Sequence, residues 1–171
     1  MLTSHQIDAC LALIIGPFGK ARLTSSEFLA QVPVAVSEGV LAPDFWHAAV
    51  EEKDADALVC ALLVGFSFGF PSSIVNELCD LLGASWHRSH ENLVEALDGF
   101  DGEVVADALV GATEYVPEYL AFDDSRALAI KAVWMLSKLK RDDALPRLLN
   151  LAEHPVERIR ICALERLQSL S

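Results

Sequence analysis

Basic residues are scarce in this sequence. Its 171 residues include 13 Lys and Arg against 25 Asp and Glu, which gives a net charge of −12. Proteins that bind nucleic acid or an anionic membrane surface usually present a basic patch, so this balance argues against both classes. It favours a basic protein partner, which an acidic surface attracts over a distance.

The basic residues are also unevenly placed along the chain. Residues 1–130 contain 5 Lys and Arg and 20 Asp and Glu, whereas residues 131–171 contain 8 Lys and Arg and 5 Asp and Glu. A difference of this size between two parts of one chain requires a structural or functional explanation.

Long apolar segments are missing as well. The uncharged stretch ALVCALLVGFSFGFP (57–71) has 15 residues, fewer than the about 20 that a membrane-spanning helix needs. Gly65 and Gly69 interrupt it, and the N-terminal residues lack the basic region of a signal peptide. We therefore expect a cytoplasmic protein without membrane contact, in which 57–71 begins as a helix that is covered on nearly every side.

Motifs for catalysis and metal binding are sparse. The four cysteines form no CxxC pair, which is typical of small buried side chains in a reducing compartment. His87 and His90 have the i, i+3 spacing of two metal ligands, but no third ligand is evident. We interpret them as part of a solvated turn that precedes a helix capped by Ser89.

Phosphate-binding glycine loops and GxSxG elbows are also lacking. We therefore expect no enzymatic activity, no cofactor and no metal. An apolar ligand pocket around Phe66, Phe68 and Phe70, as in a small-ligand enzyme or lyase, is the alternative.

Helix signals dominate what is present. Thr3 with Gln6 and Thr24 with Glu27 match capping boxes, and a carboxylate at Asp54 or Asp56 precedes the apolar stretch. Further starts are expected at Ser89, Asp101 and Asp124. No segment alternates long enough to indicate a strand, so the sequence predicts an all-α fold.

Residues 45–171 show weak internal repetition. The segment around Asp54 resembles the segment around Asp101 at an offset of 47 residues. In residues 118–170, SRALAIKAVWMLSKL and VERIRICALERLQSL resemble second helices of HEAT-type repeats, and DALPRLLNLAEH resembles a first helix. The resemblance implies a solenoid of stacked antiparallel helix pairs whose second helices form a concave surface. We expect one domain, 1–171, with an irregular helical cap (1–44) and HEAT-like repeats (45–171).

Acidic side chains are candidates for a binding surface on such repeats. In the helix that starts near Asp101, the apolar face is expected to hold Val104, Val105, Ala108, Leu109 and Ala112, with acidic residues on the opposite face. The predicted acidic stripe comprises Asp56, Glu103, Asp107, Glu114, Glu118, Asp123 and Asp124. An ordinary solvated helix face remains the alternative.

Three aromatic residues are further candidates. Tyr115 and Tyr119 lie four residues apart, and tyrosine often anchors protein interfaces. Trp134 is predicted on the side of its helix that carries Lys131 and Lys138, where it either packs against a neighbouring repeat or binds a partner.

The functional hypothesis combines these features. HEAT-like chains without catalytic residues are usually binding scaffolds, and an acidic one is suited to fill the basic substrate groove of a nuclease. We expect an immunity protein that binds and inhibits a cognate basic toxin. A general adaptor in a larger assembly is the main alternative, and fold alone does not decide between them.

Overall fold

The computed structural model describes residues 2–14, 22–122, 124 and 126–170. Helices dominate these residues, and the strands among them are two segments of two residues each, so the all-α prediction is confirmed. None of the described helices is both long and apolar enough to cross a membrane.

The chain divides into two compact units, Met1–Ile74 and Val75–Ser171. The boundary falls inside the region 45–171 that the sequence predicts as one run of repeats. The first unit contains helices α1 (Ser4–Leu11), α2 (Ser25–Gln31), α3 (Pro43–Glu51) and α4 (Ala55–Phe68), strands β1 (Val36–Ser37) and β2 (Val40–Leu41), and short 3₁₀ turns at Pro33–Ala35 and Ser72–Ile74.

The described residues of the second unit form helices and connecting turns, with no strand among them. It contains α5 (Val75–Leu81), α6 (His90–Ala96), α7 (Glu103–Glu114), α8 (Ala127–Leu136), α9 (Arg141–Leu151) and α10 (Glu157–Ser169), with a 3₁₀ turn at Glu118–Leu120.

Side-chain caps fix the starts of α1, α2 and α4 in the first unit. The Thr3 hydroxyl accepts the Gln6 N–H while the Gln6 side chain accepts the Thr3 N–H, and Thr24 and Glu27 repeat this arrangement. The Asp54 carboxylate accepts N–H groups at the start of α4. Each cap satisfies backbone donors that the first turn of a helix leaves without partners. Both predicted capping boxes and the Asp54 start are thereby confirmed.

Helix α4 is the centre of the first unit. Leu58, Ala61, Leu62 and Val64 are buried, and the helix packs against α1, α3 and β2. The apolar stretch is therefore core, as its composition predicts. The ring of Phe70 lies directly over Gly65, where any larger residue would overlap it.

The short hairpin between β1 and β2 was not predicted from the sequence. Its turn residues Glu38 and Gly39 both have positive φ, 52° and 85°, as a two-residue turn of type I′ requires. With two residues in each strand, the hairpin is too short to produce an alternating pattern in the sequence.

Three predicted helix starts in the second unit are wrong or only partly correct. Helix α7 begins after Gly102 and α8 after Arg126, so Asp101 and Asp124 cap neither helix. Ser89 precedes α6, but its side chain makes no capping bond. Asp101 instead accepts the backbone N–H of Lys140, at 3.0 Å.

Helix α7 is also rotated from the predicted orientation. Val105, Ala106 and Leu109 are buried, whereas Val104 is 56% exposed. The described helices of this unit contact both sequence neighbours and next-but-one neighbours: α5 packs on α6 and α7, α6 on α8, α7 on α8 and α9, and α8 and α9 on α10.

The four cysteines, Cys10, Cys60, Cys79 and Cys162, are free and buried. This location agrees with their interpretation as small apolar side chains.

Candidate functional site

A series of polar contacts joins residues 95–114 to residues 131–154. Four ion pairs and one hydrogen bond of this kind occur among the described residues, with partners 36 to 40 residues apart in sequence. The ion pairs are Lys131 with Glu95, Lys138 with Asp98, Lys140 with Asp101 and Arg147 with Asp107. His154 Nδ1 accepts the Val156 N–H, so its Nε2 donates a hydrogen bond to Glu114 Oε1. The ion pairs account for part of the uneven distribution of charge along the chain, because four basic side chains of the last third neutralise acidic ones of the middle third.

The ion pair of Arg147 and Asp107 joins two guanidinium nitrogens to one carboxylate oxygen. The Arg147 Nη2 and Nε atoms lie 2.6 and 2.8 Å from Asp107 Oδ1. The Arg147 side chain is only 18% exposed, and its Nη1 atom also donates to the backbone carbonyl of Asp143. A largely covered guanidinium with several acceptors is held in one position, so this pair links α7 to α9 firmly.

The series divides the predicted acidic stripe into paired and unpaired residues. Asp107 and Glu114 are bound within the fold, the latter through a 2.7 Å contact from its Oε1 to His154 Nε2. Glu103 and Glu118 are exposed and make no ion pair with any described residue. Their carboxylates therefore remain available to a partner.

The other predicted acidic residues have separate locations. Asp56 is exposed in the first turn of α4, in the first unit. Asp124 is exposed before α8, and Asp123 lies outside the described residues.

A cluster of histidine and tyrosine rings lies between α5, α6 and the turn after α7. The side chains of His87 and His90 are buried, at 3% and 0% exposure. Their ring centroids are 4.4 Å apart. The interpretation of these residues as a solvated turn is therefore wrong in its placement: the turn folds back and covers the end of α5.

The hydrogen bonds of both histidines fix their protonation. His87 Nδ1 accepts the Ser89 N–H, so Nε2 carries the proton and donates to Leu81 O at 3.1 Å. His90 Nε2 donates to Ala84 O at 2.8 Å. These bonds satisfy carbonyl groups at and just beyond the last turn of α5, which a helix end leaves without partners.

Burial keeps both imidazoles neutral. Burial first, and the neighbouring His90 second, lower the pKa of His87 to about 4. Burial likewise lowers the pKa of His90. Each of the four ring nitrogens is engaged, since His90 Nδ1 accepts from the Tyr119 hydroxyl at 3.1 Å. No imidazole nitrogen of this pair is left as a metal ligand or a general base, and the described residues form no metal-binding group of three or more side chains.

The two predicted tyrosines form one wall of a cavity beside this cluster. The rings of Tyr115 and Tyr119 lie 5.3 and 5.6 Å from the ring of His90. The cavity has a volume of about 510 Å³, and Arg88 and Glu118 carry charge at its lining. Arg88 lies 5.9 Å from the centroid of the Tyr119 ring. The buried His90 orients Tyr119 through a hydrogen bond and packs against Tyr115, so both rings form an aromatic surface beside the cavity.

Trp134 is 48% exposed on α8. The Arg166 guanidinium of α10 lies 3.6 Å from the centre of its ring, so one part of the ring is covered and the rest faces solvent. Lys131 and Lys138, which the sequence placed beside it as contacts for a partner, are bound to Glu95 and Asp98.

The three phenylalanines of the alternative pocket pack on other rings. Phe68 lies 5.8 Å from Phe28, and Phe66 and Phe70 form an edge-to-face pair at 5.3 Å. None of the three lines a cavity among those found in the described residues.

Sequence reasoning missed three features of these surfaces. The burial of the histidine pair, the stacking of Arg166 on Trp134 and the pairing of Arg147 with Asp107 all join residues from different helices. The spacing of His87 and His90 does place both rings on one side of the turn, and it was a usable signal for a shared environment.

Comparison with protein-family models, with curated proteins and with solved structures found no match to the chain.

Proposed function

We propose that the chain is a non-enzymatic binding module whose second unit is a HEAT-like solenoid. The helix contacts support this arrangement, since α5, α7 and α9 contact one another in order, as do α6, α8 and α10. Two such rows are what stacked helix pairs produce. The spacing of 36 to 40 residues between ion-pair partners agrees with one repeat of this class.

The module is an immunity protein that binds and inhibits a basic, nuclease-like toxin domain in the cytoplasm. The observation that carries the proposal is the internal use of basic charge. Four of the eight Lys and Arg residues after position 130 are held in ion pairs, whereas many exposed carboxylates have no partner among the described residues. The charge left on the surface is therefore acidic, as a partner with a basic substrate groove requires.

The contact surface includes two kinds of side chain. On the second unit, the exposed carboxylates of Glu103 and Asp124 provide charge that steers a basic partner, and the exposed Asp56 of the first unit adds to the acidic charge of the chain. Tyr119, hydrogen-bonded to the buried His90, and Tyr115, which packs on the same histidine ring, provide aromatic area of the type that dominates binding energy in protein interfaces.

The direct experiment uses the products of the genes adjacent to the gene for this chain. Each product is purified, assayed for nuclease activity, and mixed with an equimolar amount of the chain. We expect one basic product whose nuclease activity is abolished at a 1:1 ratio. An adaptor would bind without inhibition. The proposal is therefore contradicted if no nuclease among the products binds the chain, or if every nuclease that binds keeps its activity.

A further inference from the structure

We infer that α8 and α10 carry a second binding surface, for a partner segment in which one carboxylate lies beside apolar side chains. This Trp134 surface consists of Ile130, Trp134, Arg158, Ile161, Cys162, Glu165 and Arg166. It goes beyond the proposed toxin-binding function, because its two arginines carry positive charge, whereas the proposed toxin-binding side chains carry negative charge.

The surface has an apolar floor that is open to solvent. Trp134 and Ile161 are 48% and 47% exposed, and with Ile130 they line a cavity of about 240 Å³. This volume suits an apolar side chain rather than a large ligand, since small-molecule pockets usually exceed about 300 Å³.

Two arginines flank the apolar floor. Arg158 and Arg166 are eight residues apart on α10, with Cys162 midway, and this spacing places all three on one face of the helix. Neither arginine forms an ion pair with a described residue, whereas Lys131 and Lys138 of the adjacent helix are both paired. Four arginines after position 130 form no ion pair with a described residue, and two of them, Arg158 and Arg166, lie at the Trp134 surface.

Arg166 also carries an unsatisfied donor. Its Nε atom is buried without a hydrogen-bond partner among the described residues, although its Cζ atom lies only 3.6 Å from the centre of the Trp134 ring. Buried donors without a partner are rare and cost free energy. The Nε atom is closed to solvent, so it is not itself offered to a partner. The charge that a partner meets belongs to the exposed Arg158 and the half-buried Arg166, and a carboxylate is the acceptor that arginine binds best.

The remaining charges narrow the chemistry of the partner. The Glu165 carboxylate also lines the cavity, so a run of acidic residues would be repelled and one or two carboxylates fit better. A nucleic acid would meet a chain of net charge −12, and its phosphates bind mainly through basic surfaces. A short amphipathic protein segment with one or two carboxylates fits this surface, since it avoids repulsion from Glu165 and is not a nucleic acid.

The test uses the blocked peptide acetyl-Leu-Glu-Leu-Leu-amide and the same peptide with Gln in place of Glu. Each is titrated into the ¹⁵N-labelled full chain, and the indole N–H resonance of Trp134 is followed, after assignment with Trp134→Phe. We expect a saturable shift with the Glu peptide. The Gln peptide should bind at least about tenfold more weakly.

Two charge-reversed variants complete the design. Arg158→Glu should weaken binding of the Glu peptide by about tenfold or more. Lys53→Glu changes the net charge equally in an exposed turn of the first unit and should bind like the wild type. Thermal midpoints establish that both variants are folded, and Arg158→Ala replaces Arg158→Glu if the latter is not.

Three results would overturn the inference. The first is no saturable shift with either peptide at millimolar concentration. The second is equal affinity for the Glu and Gln peptides, which removes the role of the carboxylate. The third is a shift of the Trp134 resonance by an eight-residue oligothymidylate at lower concentration than by the Glu peptide, which assigns the surface to nucleic acid. None of these outcomes depends on the toxin, so they are separate from the test of the proposed function.

Discussion

A side chain at position 65 would force the ring of Phe70 to move, because a Cβ atom there would overlap that ring. In Gly65→Ala the ring has to leave its place against Phe66. We expect the variant to lower the free energy of unfolding by about 1–3 kcal/mol. Gly111→Ala is the matched control: its site in α7 is exposed and open, so it should raise stability by about 0.5–1 kcal/mol. Urea denaturation of both variants gives the two values, and effects of the same sign would contradict the packing described for α4.

The buried histidines make stability depend on pH. His87 is neutral in the folded chain because burial lowers its pKa to about 4, whereas the unfolded side chain titrates near its ordinary value of about 6.5. The unfolded state therefore binds more protons between these two values. The contribution of His87 is complete above pH 6.5, falls as the pH drops toward 4, and changes little below that.

The corresponding experiment measures urea midpoints between pH 7 and pH 5, above the range in which most carboxylates titrate. We expect a loss of stability on the order of 2 kcal/mol over this range, to which His90 contributes in the same direction. His5→Ala, a change at an exposed histidine, should leave the profile unchanged. In the folded protein the His87 ring proton should show no titration above pH 5 by NMR. Titration near pH 6.5 would mean that the imidazole is not buried.

At the scale of helices, the ion pair between α7 and α9 allows a paired carboxylate and an unpaired carboxylate of the same helix to be compared. Asp107→Lys places a lysine against Arg147, so it should lower stability by about 1 kcal/mol or slightly more. Glu103→Lys lies one turn away on the same helix, is exposed, and should change stability by less than about 0.5 kcal/mol. In the double variant Asp107→Lys, Arg147→Asp, the restored pairing should recover part of the loss. A double-mutant cycle with no coupling would show that the pair does not stabilise the fold.

Local signals in the sequence predicted the elements well. Thr3, Thr24 and Asp54 act within three residues of their own positions, so their caps are encoded locally. Asp101 has the same appearance in the sequence, but it binds Lys140 instead of capping α7. A residue type that suits a cap also suits an ion pair, and the choice depends on a helix 39 residues away.

Surface assignments were harder to predict than elements, for the same reason. Asp107 and Glu114 fall on a polar helix face in any reading of the sequence, but only packing reveals that Arg147 and His154 meet them. The rotation of α7, which exposes Val104 and buries Ala106, also depends on tertiary contacts. The periodicity of apolar residues identifies the polar and apolar faces of a helix. Which residues of a neighbouring helix contact each face depends on how the two helices pack.

At the scale of the whole molecule, the chain keeps much of its basic charge in internal pairs and leaves an acidic surface. Part of the charge asymmetry of the sequence is therefore structural in origin, while the net charge of −12 is available for long-range attraction. Binding of a basic toxin domain through this surface predicts a fast association that depends on ionic strength.

The most direct measurement is the stopped-flow association rate constant between the chain and the nuclease domain that we propose it inhibits, from about 50 to 500 mM salt. We expect the rate constant to fall by about tenfold or more over this range, and Asp56→Lys with Glu103→Lys to slow association by a similar factor at low salt. The charge-matched control, Asp80→Lys with Glu153→Lys, changes exposed carboxylates outside the predicted surface and should have a smaller effect. A rate constant that responds neither to salt nor to the first pair of reversals would contradict the account.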